Sequence, residues 1–203
     1  MNFLAHLLLS GSDPDWRVGG FLGDFIRGPL KGERPAAIEH GIALHRHVDA
    51  SSDCHAAVRE ATRLFPRPYR RWAPVALDVL FDHFLARDFE RWNGQPLKAF
   101  SSECYGQLDA RRGHLTEPAR RFLDRMAEVD LLTAYAQRSS VPRALAHVSG
   151  RARRNNPLAE MDATLTEFES ELHTAFERLM PDLLNSTRTR IAALDDESHA
   201  RSG

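Results

Sequence analysis

Two aspartates and a histidine lie together on one predicted helix, Leu77–Phe89, which contains no Gly or Pro. At about 100° per residue, Asp78 and Asp82 fall on the same side of this helix, within an apolar stripe and beside His83. A buried carboxylate is unfavourable unless a counter-charge or a metal ion accepts it. We therefore expect a strongly positive partner, and a divalent metal ion is the simplest candidate. The alternative is that the two acids pair with arginines of neighbouring helices and that His83 is a core histidine.

Further histidines and aspartates occur in the first half of the chain, where six of the ten histidines lie within the first 83 residues. His6 belongs to a short apolar segment, Asp24 follows a glycine-rich segment, and His45 and Asp49 fall at i and i+4 on one helical face. Together with the three residues above, these four offer imidazole and carboxylate groups without cysteine. Such a set suits Mn²⁺, Fe²⁺, Mg²⁺ or Zn²⁺ in a hydrolytic site. A metal ion there would activate water and offset charge on a phosphoryl oxygen.

The segments that must position these residues are all predicted to be helical, because no strand-like alternation occurs. We therefore expect an all-α fold with a single domain over residues 1–194 and a polar tail, 195–203, that frays. Three glycines, Gly19, Gly20 and Gly23, lower helix stability and indicate a place where another backbone or a ligand comes close. The predicted helices are 2–10, 16–27, 35–58, 77–89, 97–107, 118–137 and 158–180, and the last three read as scaffold.

Composition excludes several classes of protein. The chain has 203 residues, of which 42% are hydrophobic, and this suits one well-packed core. The formal net charge of −1 gives no overall attraction to nucleic acid. The apolar run Phe3–Leu9 is too short for a membrane span and lacks the basic start of a signal peptide, so we expect a cytoplasmic protein with no membrane association. Two cysteines are too few for a disulfide framework.

Four sequence blocks follow one another in an order that carries a family resemblance. They are Met1–Leu7 (MNFLAHL), Gly23–Gly28 (GDFIRG), His45–Asp49 (HRHVD) followed by Asp53, and Leu77–Leu85 (LDVLFDHFL). In this order they resemble the acyl carrier protein phosphodiesterase family, also called holo-acyl-carrier-protein hydrolase. The resemblance covers about the first ninety residues.

The resemblance implies a helical fold similar to an unusual version of the HD phosphohydrolase superfamily. It also implies Mn²⁺-dependent hydrolysis of the phosphodiester that joins 4′-phosphopantetheine to a serine of holo-acyl carrier protein, which releases the apo protein. The chain has Asp82-His83, the reverse of the His-Asp pair of HD enzymes. The residues carried over as metal ligands are Asp24, His45, Asp82 and His83 first, and then His6, Asp49 and Asp78. Of these, Asp24, Asp82 and His83 are also the candidate catalytic groups.

Arginines are the candidates for binding the substrate. Arg27 and Arg46 lie close in sequence to proposed ligands and would hold the phosphate. The resemblance implies an acidic carrier protein as the partner, so Arg70 and Arg71, which precede the helix at 77–89, would form a basic docking surface. The alternative is that such arginines are solvated helix faces. Two further clusters could dock the partner instead: Arg111 with Arg112, and Arg151 with Arg153 and Arg154.

Two other functions fit the same residues. One is an HD-type hydrolase of a nucleotide such as a pyrophosphorylated guanosine, which would need a pocket for a purine. The other is a non-enzymatic all-α binding protein, in which the acids and histidines form a structural polar network and no metal binds. Metal analysis and a carrier-protein mass assay separate these possibilities.

Overall fold

The computed structural model describes residues 1–151 and 155–202, and in these ranges it contains twelve α-helices and no β-strand. The predicted all-α fold is confirmed. No helix among the described residues is long and apolar enough to cross a membrane. The helices are α1 (Phe3–Leu9), α2 (Pro14–Leu22), α3 (Ala36–Cys54), α4 (Ala56–Leu64), α5 (Ala73–Arg87), α6 (Phe89–Asn93), α7 (Leu97–Ala110), α8 (Glu117–Glu128), α9 (Leu131–Ala134), α10 (Ser140–Arg151), α11 (Asp162–Glu167) and α12 (Glu169–Ser202).

Four of the predicted helices are interrupted by residues whose backbone angles are not helical. The segment 77–89 divides at Asp88, between α5 and α6. The segment 35–58 divides at His55, whose extended backbone ends α3 and whose ring accepts a hydrogen bond from the Ala57 N–H at the start of α4. The segment 118–137 divides before α9 at Asp130, which is left-handed with φ of 43°. The segment 158–180 divides at Phe168, between α11 and α12.

Several parts of the described structure lie outside the helices predicted from the sequence, among them the second half of α4 (59–64) and most of α6 (90–93). Helix α10 was not predicted. Helix α12 continues to Ser202, so the backbone is helical where we expected the polar tail to fray, and Gly203 lies outside the described residues.

Helix α5 occupies the centre of the core and is buried on nearly all sides. Its Phe81 and Phe84 rings contact the Phe176 ring of α12, with centroid distances of 5.7 and 5.9 Å. A helix of this kind is apolar around most of its circumference, so a polar side chain within it must find a partner inside the protein. Asp82 and His83 are therefore both enclosed by neighbouring elements.

Helices α2 and α3 pack with their backbones almost in contact. A Cβ atom at Gly19 would lie 2.2 Å from the Ile38 carbonyl oxygen, and one at Gly41 would lie 2.3 Å from the Trp16 carbonyl oxygen. Only residues without a Cβ atom fit at such a crossing. The glycines of this segment predicted that another backbone comes close. That backbone is α3, which packs directly against α2.

Candidate metal site

His6, His45 and Asp49 place their ligand atoms within 4.8 Å of one another, and they form the one such group of three in the described part of the chain. His6 lies on α1, and the other two lie one turn apart on α3. The two imidazole rings stack with centroids 3.7 Å apart and planes 16° apart. Asp49 faces both rings: its Oδ1 lies 3.2 Å from Nε2 of His6, and its Oδ2 lies 3.3 Å from Nε2 of His45.

The carboxylate is the solvent-accessible part of this group. The His6 and His45 residues are 3% and 4% exposed, whereas the Asp49 side chain is 46% exposed. The two imidazole rings are therefore fixed by packing, and the carboxylate forms the accessible rim. A small ligand would reach the three side chains from the Asp49 side.

Gly20 in α2 and Gly23 at the end of α2 set the orientation of the His45 ring. The His45 Nδ1–H donates a hydrogen bond to the Gly20 carbonyl oxygen, at 2.8 Å. A carbonyl oxygen can only accept, so the proton on Nδ1 directs Nε2 towards Asp49. A Cβ atom at Gly23 would lie 2.1 Å from Cγ of His45, so the ring occupies space that any other residue at position 23 would fill. Gly20 and Gly23 were not among the predicted site residues, although the run of glycines indicates that another group comes close.

Burial and charge shift the pKa values of the two histidines in opposite directions. Burial lowers the pKa of His6 to about 4, so this ring is neutral at pH 7. Burial also opposes the charged form of His45, but the hydrogen bond to Asp49 and the charge of Asp24 raise its pKa overall. Burial disfavours the ionised form of Asp49 as well, yet hydrogen bonds from His45 and His6 hold its pKa well below the usual range.

These three side chains fit a divalent cation. Two ligands at about 2.1 Å from one ion, and roughly 100° apart, lie about 3.2 Å from each other, as the imidazole and carboxylate atoms do here. Nδ1 of His6 is buried and has no hydrogen-bond partner. A neutral His6 must hold its proton on one nitrogen, and ligation through Nε2 would place that proton on Nδ1.

Asp24 lies directly after α2, in electrostatic contact with this group. Asp24 is an exposed residue, yet desolvation by the surrounding protein raises its pKa, while the nearby charge of His45 opposes that shift. Asp49 adds to the increase, because two carboxylates in one neighbourhood resist ionising together. Asp24 is thus a carboxylate at the rim of the site with a greater affinity for protons than an ordinary surface aspartate.

Asp78 and Asp82 face the start of the chain. Oδ1 of Asp78 lies 2.7 Å from the α-ammonium group of Met1. Asp82 is fully buried, and its two oxygens accept hydrogen bonds from the backbone N–H groups of Asn2 (3.1 Å) and Leu4 (2.8 Å). Asp82 therefore satisfies free N–H groups at the first turn of α1. Its partners are neutral amides, where we expected a metal ion or an arginine, and burial raises its pKa to about 7.

His83 faces away from the candidate site, towards the second half of the chain. Its Nδ1–H donates to the Tyr135 carbonyl oxygen at 2.8 Å, and burial lowers its pKa. The charged groups that act on it are those of Arg87, Arg138 and Glu169. The structure brings together His6, Asp24, His45 and Asp49, with Asp78 and Asp82 at the base of α1, but it does not bring His83 to them.

The candidate arginines differ in their surroundings. Arg46 donates to the Ile26 carbonyl oxygen at 3.2 Å and so lies beside the segment that carries Asp24. Arg70 donates to two carbonyl oxygens at the end of α4, those of Arg63 and Phe65, both at 3.0 Å. Arg27 and Arg71 are exposed.

The arginines of another predicted cluster form salt bridges with carboxylates. Arg111 pairs with Asp15, and Arg112 pairs with Asp109 and Asp124. Both members of this cluster are therefore paired with carboxylates. Arg153 and Arg154 lie outside the described residues.

Comparison with known proteins points to one family. The model of the family described as acyl carrier protein phosphodiesterase matches residues 1–183. The chain is 31% identical over 194 residues to the acyl carrier protein phosphodiesterase of Serratia proteamaculans, which covers 94% of this chain and 99% of that protein. A second relative with the same name, from Photorhabdus laumondii, is 31% identical over 170 residues, which covers 83% of this chain and 84% of that protein.

A third relative with this name, from Yersinia pestis, is 47% identical, but only over 91 residues, which are 45% of this chain and 47% of that protein. No solved structure significantly matches this chain. The expected likeness to the HD phosphohydrolase fold therefore stays a prediction.

Proposed function

The chain belongs to the acyl carrier protein phosphodiesterase family, and we propose that it hydrolyses the phosphodiester joining 4′-phosphopantetheine to a serine of holo-acyl carrier protein, with a divalent metal ion bound at His6, His45 and Asp49. The observation that supports the metal site is the convergence of two buried imidazole nitrogens on one half-exposed carboxylate. Manganese is the ion that the family resemblance implies. The mixed imidazole and carboxylate donors also suit Mg²⁺, Fe²⁺ or Zn²⁺.

The three proposed metal ligands are fewer than the seven that the sequence predicts. Asp82 uses both oxygens on the N–H groups of α1, and Asp78 contacts Met1. We assign these two aspartates to positioning α1, and with it His6. His83 has no part in the proposed site, because the charged groups that act on it are Arg87, Arg138 and Glu169, and none of the proposed ligands is among them.

A bound divalent ion would supply Lewis-acid chemistry to a phosphoryl oxygen and to water. The chain's own groups hold and move the protons. The His45 proton stays on Nδ1, where the Gly20 carbonyl holds it. Asp24, with its raised pKa, accepts a proton from the attacking water. Water oxygen bonds to phosphorus, and the bond from phosphorus to the serine oxygen breaks. The serine oxygen takes up a proton from solvent as apo carrier protein leaves, and Asp24 releases its proton to solvent.

Arg46 and Arg27 would bind the phosphate. Arg46 uses one N–H on the Ile26 carbonyl, which anchors the guanidinium beside Asp24 and leaves other donors free for phosphoryl oxygens. Arg27 lies three residues after Asp24 and is exposed. Both would counter the negative charge of the diester as it approaches a rim that carries two carboxylates.

Asp49→Asn tests the metal site, and Asp53→Asn is the matched control because Asp53 lies one turn further along α3 and is exposed. Mn²⁺ binding is measured by calorimetry, and loss of the phosphopantetheine mass from holo-acyl carrier protein is measured by mass spectrometry. We expect Asp49→Asn to lose both Mn²⁺ binding and mass loss, and Asp53→Asn to retain both.

The same assay separates the other two functions. A wild-type protein that binds Mn²⁺ and leaves the holo carrier protein intact would refute the proposed substrate and favour hydrolysis of a nucleotide. A wild-type protein that neither binds metal nor changes the carrier protein would support the non-enzymatic binding protein. Metal binding that survives Asp49→Asn would refute the ligand set.

A further inference from the structure

Four phenylalanines form a compact group beside the candidate metal site. We define the phenylalanine cluster as Phe3 of α1, Phe21 of α2, Phe25 after α2 and Phe122 of α8. All six pairs of rings have centroids between 4.6 and 6.5 Å apart. Phe21 is fully buried and forms the base, whereas the other three rings are only partly buried. The cluster therefore presents aromatic edges to solvent.

The cluster is continuous with the candidate site along two elements. Phe25 directly follows Asp24, and Phe3 precedes His6 by one turn of α1, so the two side chains lie on neighbouring faces of that helix. Phe21 follows Gly20, whose carbonyl holds the His45 ring. A ligand group that left the metal site past Asp24 would meet aromatic carbon next.

Helix α8 supplies the outer side of the cluster. The Arg125 guanidinium lies 5.8 Å from the centre of the Phe122 ring. Val129, which ends α8, lies seven residues after Phe122 on the same helical stripe. It is 62% exposed and is the one large hydrophobic residue classed as exposed among the described residues. The exposed surface at this end of α8 therefore combines the Phe122 ring, the Arg125 guanidinium and the Val129 side chain.

We propose that the exposed edges of the phenylalanine cluster bind the pantetheine arm of the substrate and so determine specificity for this phosphodiester. The inference rests on the proposed function. In 4′-phosphopantetheine, the carbon chain next to the phosphate carries two methyl groups on a single carbon, and polar amides follow. With the phosphate at the metal site, Phe25 and Phe122 would contact these methyl groups. A nucleotide would present a hydroxylated sugar at the same place.

Phe122→Ala tests the contact, because Phe122 contributes a partly exposed ring without carrying any proposed metal ligand or proton acceptor. Phe168→Ala is the matched control, since Phe168 is also partly buried and lies between α11 and α12. Two inhibitors are compared in the manganese-loaded enzyme: 4′-phosphopantetheine, which carries the arm, and inorganic phosphate, which does not.

We expect Phe122→Ala to weaken inhibition by 4′-phosphopantetheine about tenfold to a hundredfold, the range that loss of small apolar contacts gives, and to lower kcat/KM for holo-acyl carrier protein by a similar factor. Inhibition by phosphate, which carries no arm, should stay unchanged. Phe168→Ala should leave all three quantities unchanged. Phe25→Leu, which keeps an apolar side chain, gives a smaller change in the same direction and replaces Phe122→Ala if that variant does not fold.

The outcomes separate the inference from the proposed function. Wild-type protein that leaves holo-acyl carrier protein intact refutes both. Active wild-type protein with unchanged 4′-phosphopantetheine inhibition in Phe122→Ala and Phe25→Leu refutes the inference alone. Reduced carrier-protein kinetics with unchanged 4′-phosphopantetheine inhibition also refutes it, because the rings would then contact the carrier protein and not the arm.

Discussion

Gly23→Ala should separate function from folding, because its added Cβ atom meets the His45 side chain. The atom would lie 2.1 Å from Cγ, 2.4 Å from Cδ2 and 2.5 Å from Nδ1 of that ring. Cγ is bonded directly to the His45 Cβ atom, so rotation of the ring about its own bond cannot relieve the overlap. The whole ring must leave the site, and its hydrogen bond to the Gly20 carbonyl and its contact with Asp49 are lost.

The expected change in the free energy of unfolding combines a gain from alanine with losses at the His45 ring. Position 23 has helical backbone angles, so alanine gains about 0.5–1 kcal/mol over glycine. Loss of the bond to Gly20 and of the half-exposed ion pair removes about 1–2 kcal/mol. The displaced ring is buried, so its removal adds a packing cost, and we expect the free energy of unfolding to fall by about 1–3 kcal/mol, which lowers Tm by several degrees for a chain of this size. Metal affinity should fall by more than about a hundredfold, because one of three ligands is gone.

Two glycine variants serve as controls. In Gly19→Ala the new atom would lie 2.2 Å from the Ile38 carbonyl oxygen and 2.6 Å from Cα of Gly41, so the helices must separate, and we expect a loss of about 3 kcal/mol or more. Gly106→Ala meets nothing within 4 Å and should raise Tm slightly. Thermal unfolding, Mn²⁺ calorimetry and the carrier-protein mass assay are measured on all three variants. Gly23→Ala protein with wild-type Mn²⁺ affinity and activity would refute the role given to the His45 ring.

Four further predictions concern the buried Asp82 carboxyl, Arg70, Arg71 and the bound metal ion. The pKa of Asp82 is raised from 3.8 to about 7, so between these pH values the folded protein keeps a proton that the unfolded chain releases. The Asp82 carboxyl therefore stabilises the fold most below pH 4, and this contribution is lost as the pH rises to 7, at up to about 1.4 kcal/mol per pH unit. Asp82→Asn should flatten the pH dependence of the free energy of unfolding in this range, as measured by urea unfolding. Arg70→Gln should lower the free energy of unfolding by about 1 kcal/mol through its lost bonds to the end of α4. Arg71→Glu should leave Tm unchanged but weaken the salt-sensitive affinity for holo-acyl carrier protein, and an unchanged salt dependence would place docking elsewhere. Chelator should lower the Tm of manganese-loaded wild type but leave that of Asp49→Asn unchanged.

Several features of this protein follow from the sequence alone, because they depend on local patterns. Helical periodicity without strand alternation is sufficient for the all-α fold. The spacing of His45 and Asp49 places them on one face of one helix, and the structure brings them together. The glycines at positions 19, 20 and 23 signal a close approach for a steric reason that holds in any fold, and a Cβ atom added at any of the three would lie within 2.2 Å of a neighbouring atom.

Tertiary structure decided which of these groups meet. Periodicity correctly put Asp78 and Asp82 on one side of α5, but it could not show that the start of α1 lies opposite them and supplies amide and ammonium donors. His83, about 100° around the same helix, meets the Tyr135 carbonyl from the second half of the chain. A sequence pattern defines the direction of a side chain relative to its own helix axis, whereas its partner depends on which helix packs on that side. On a helix buried on nearly all sides, neighbouring acids and histidines therefore face different surroundings, and only the packing of α1, α3 and α5 selected His6, His45 and Asp49 as the group that converges.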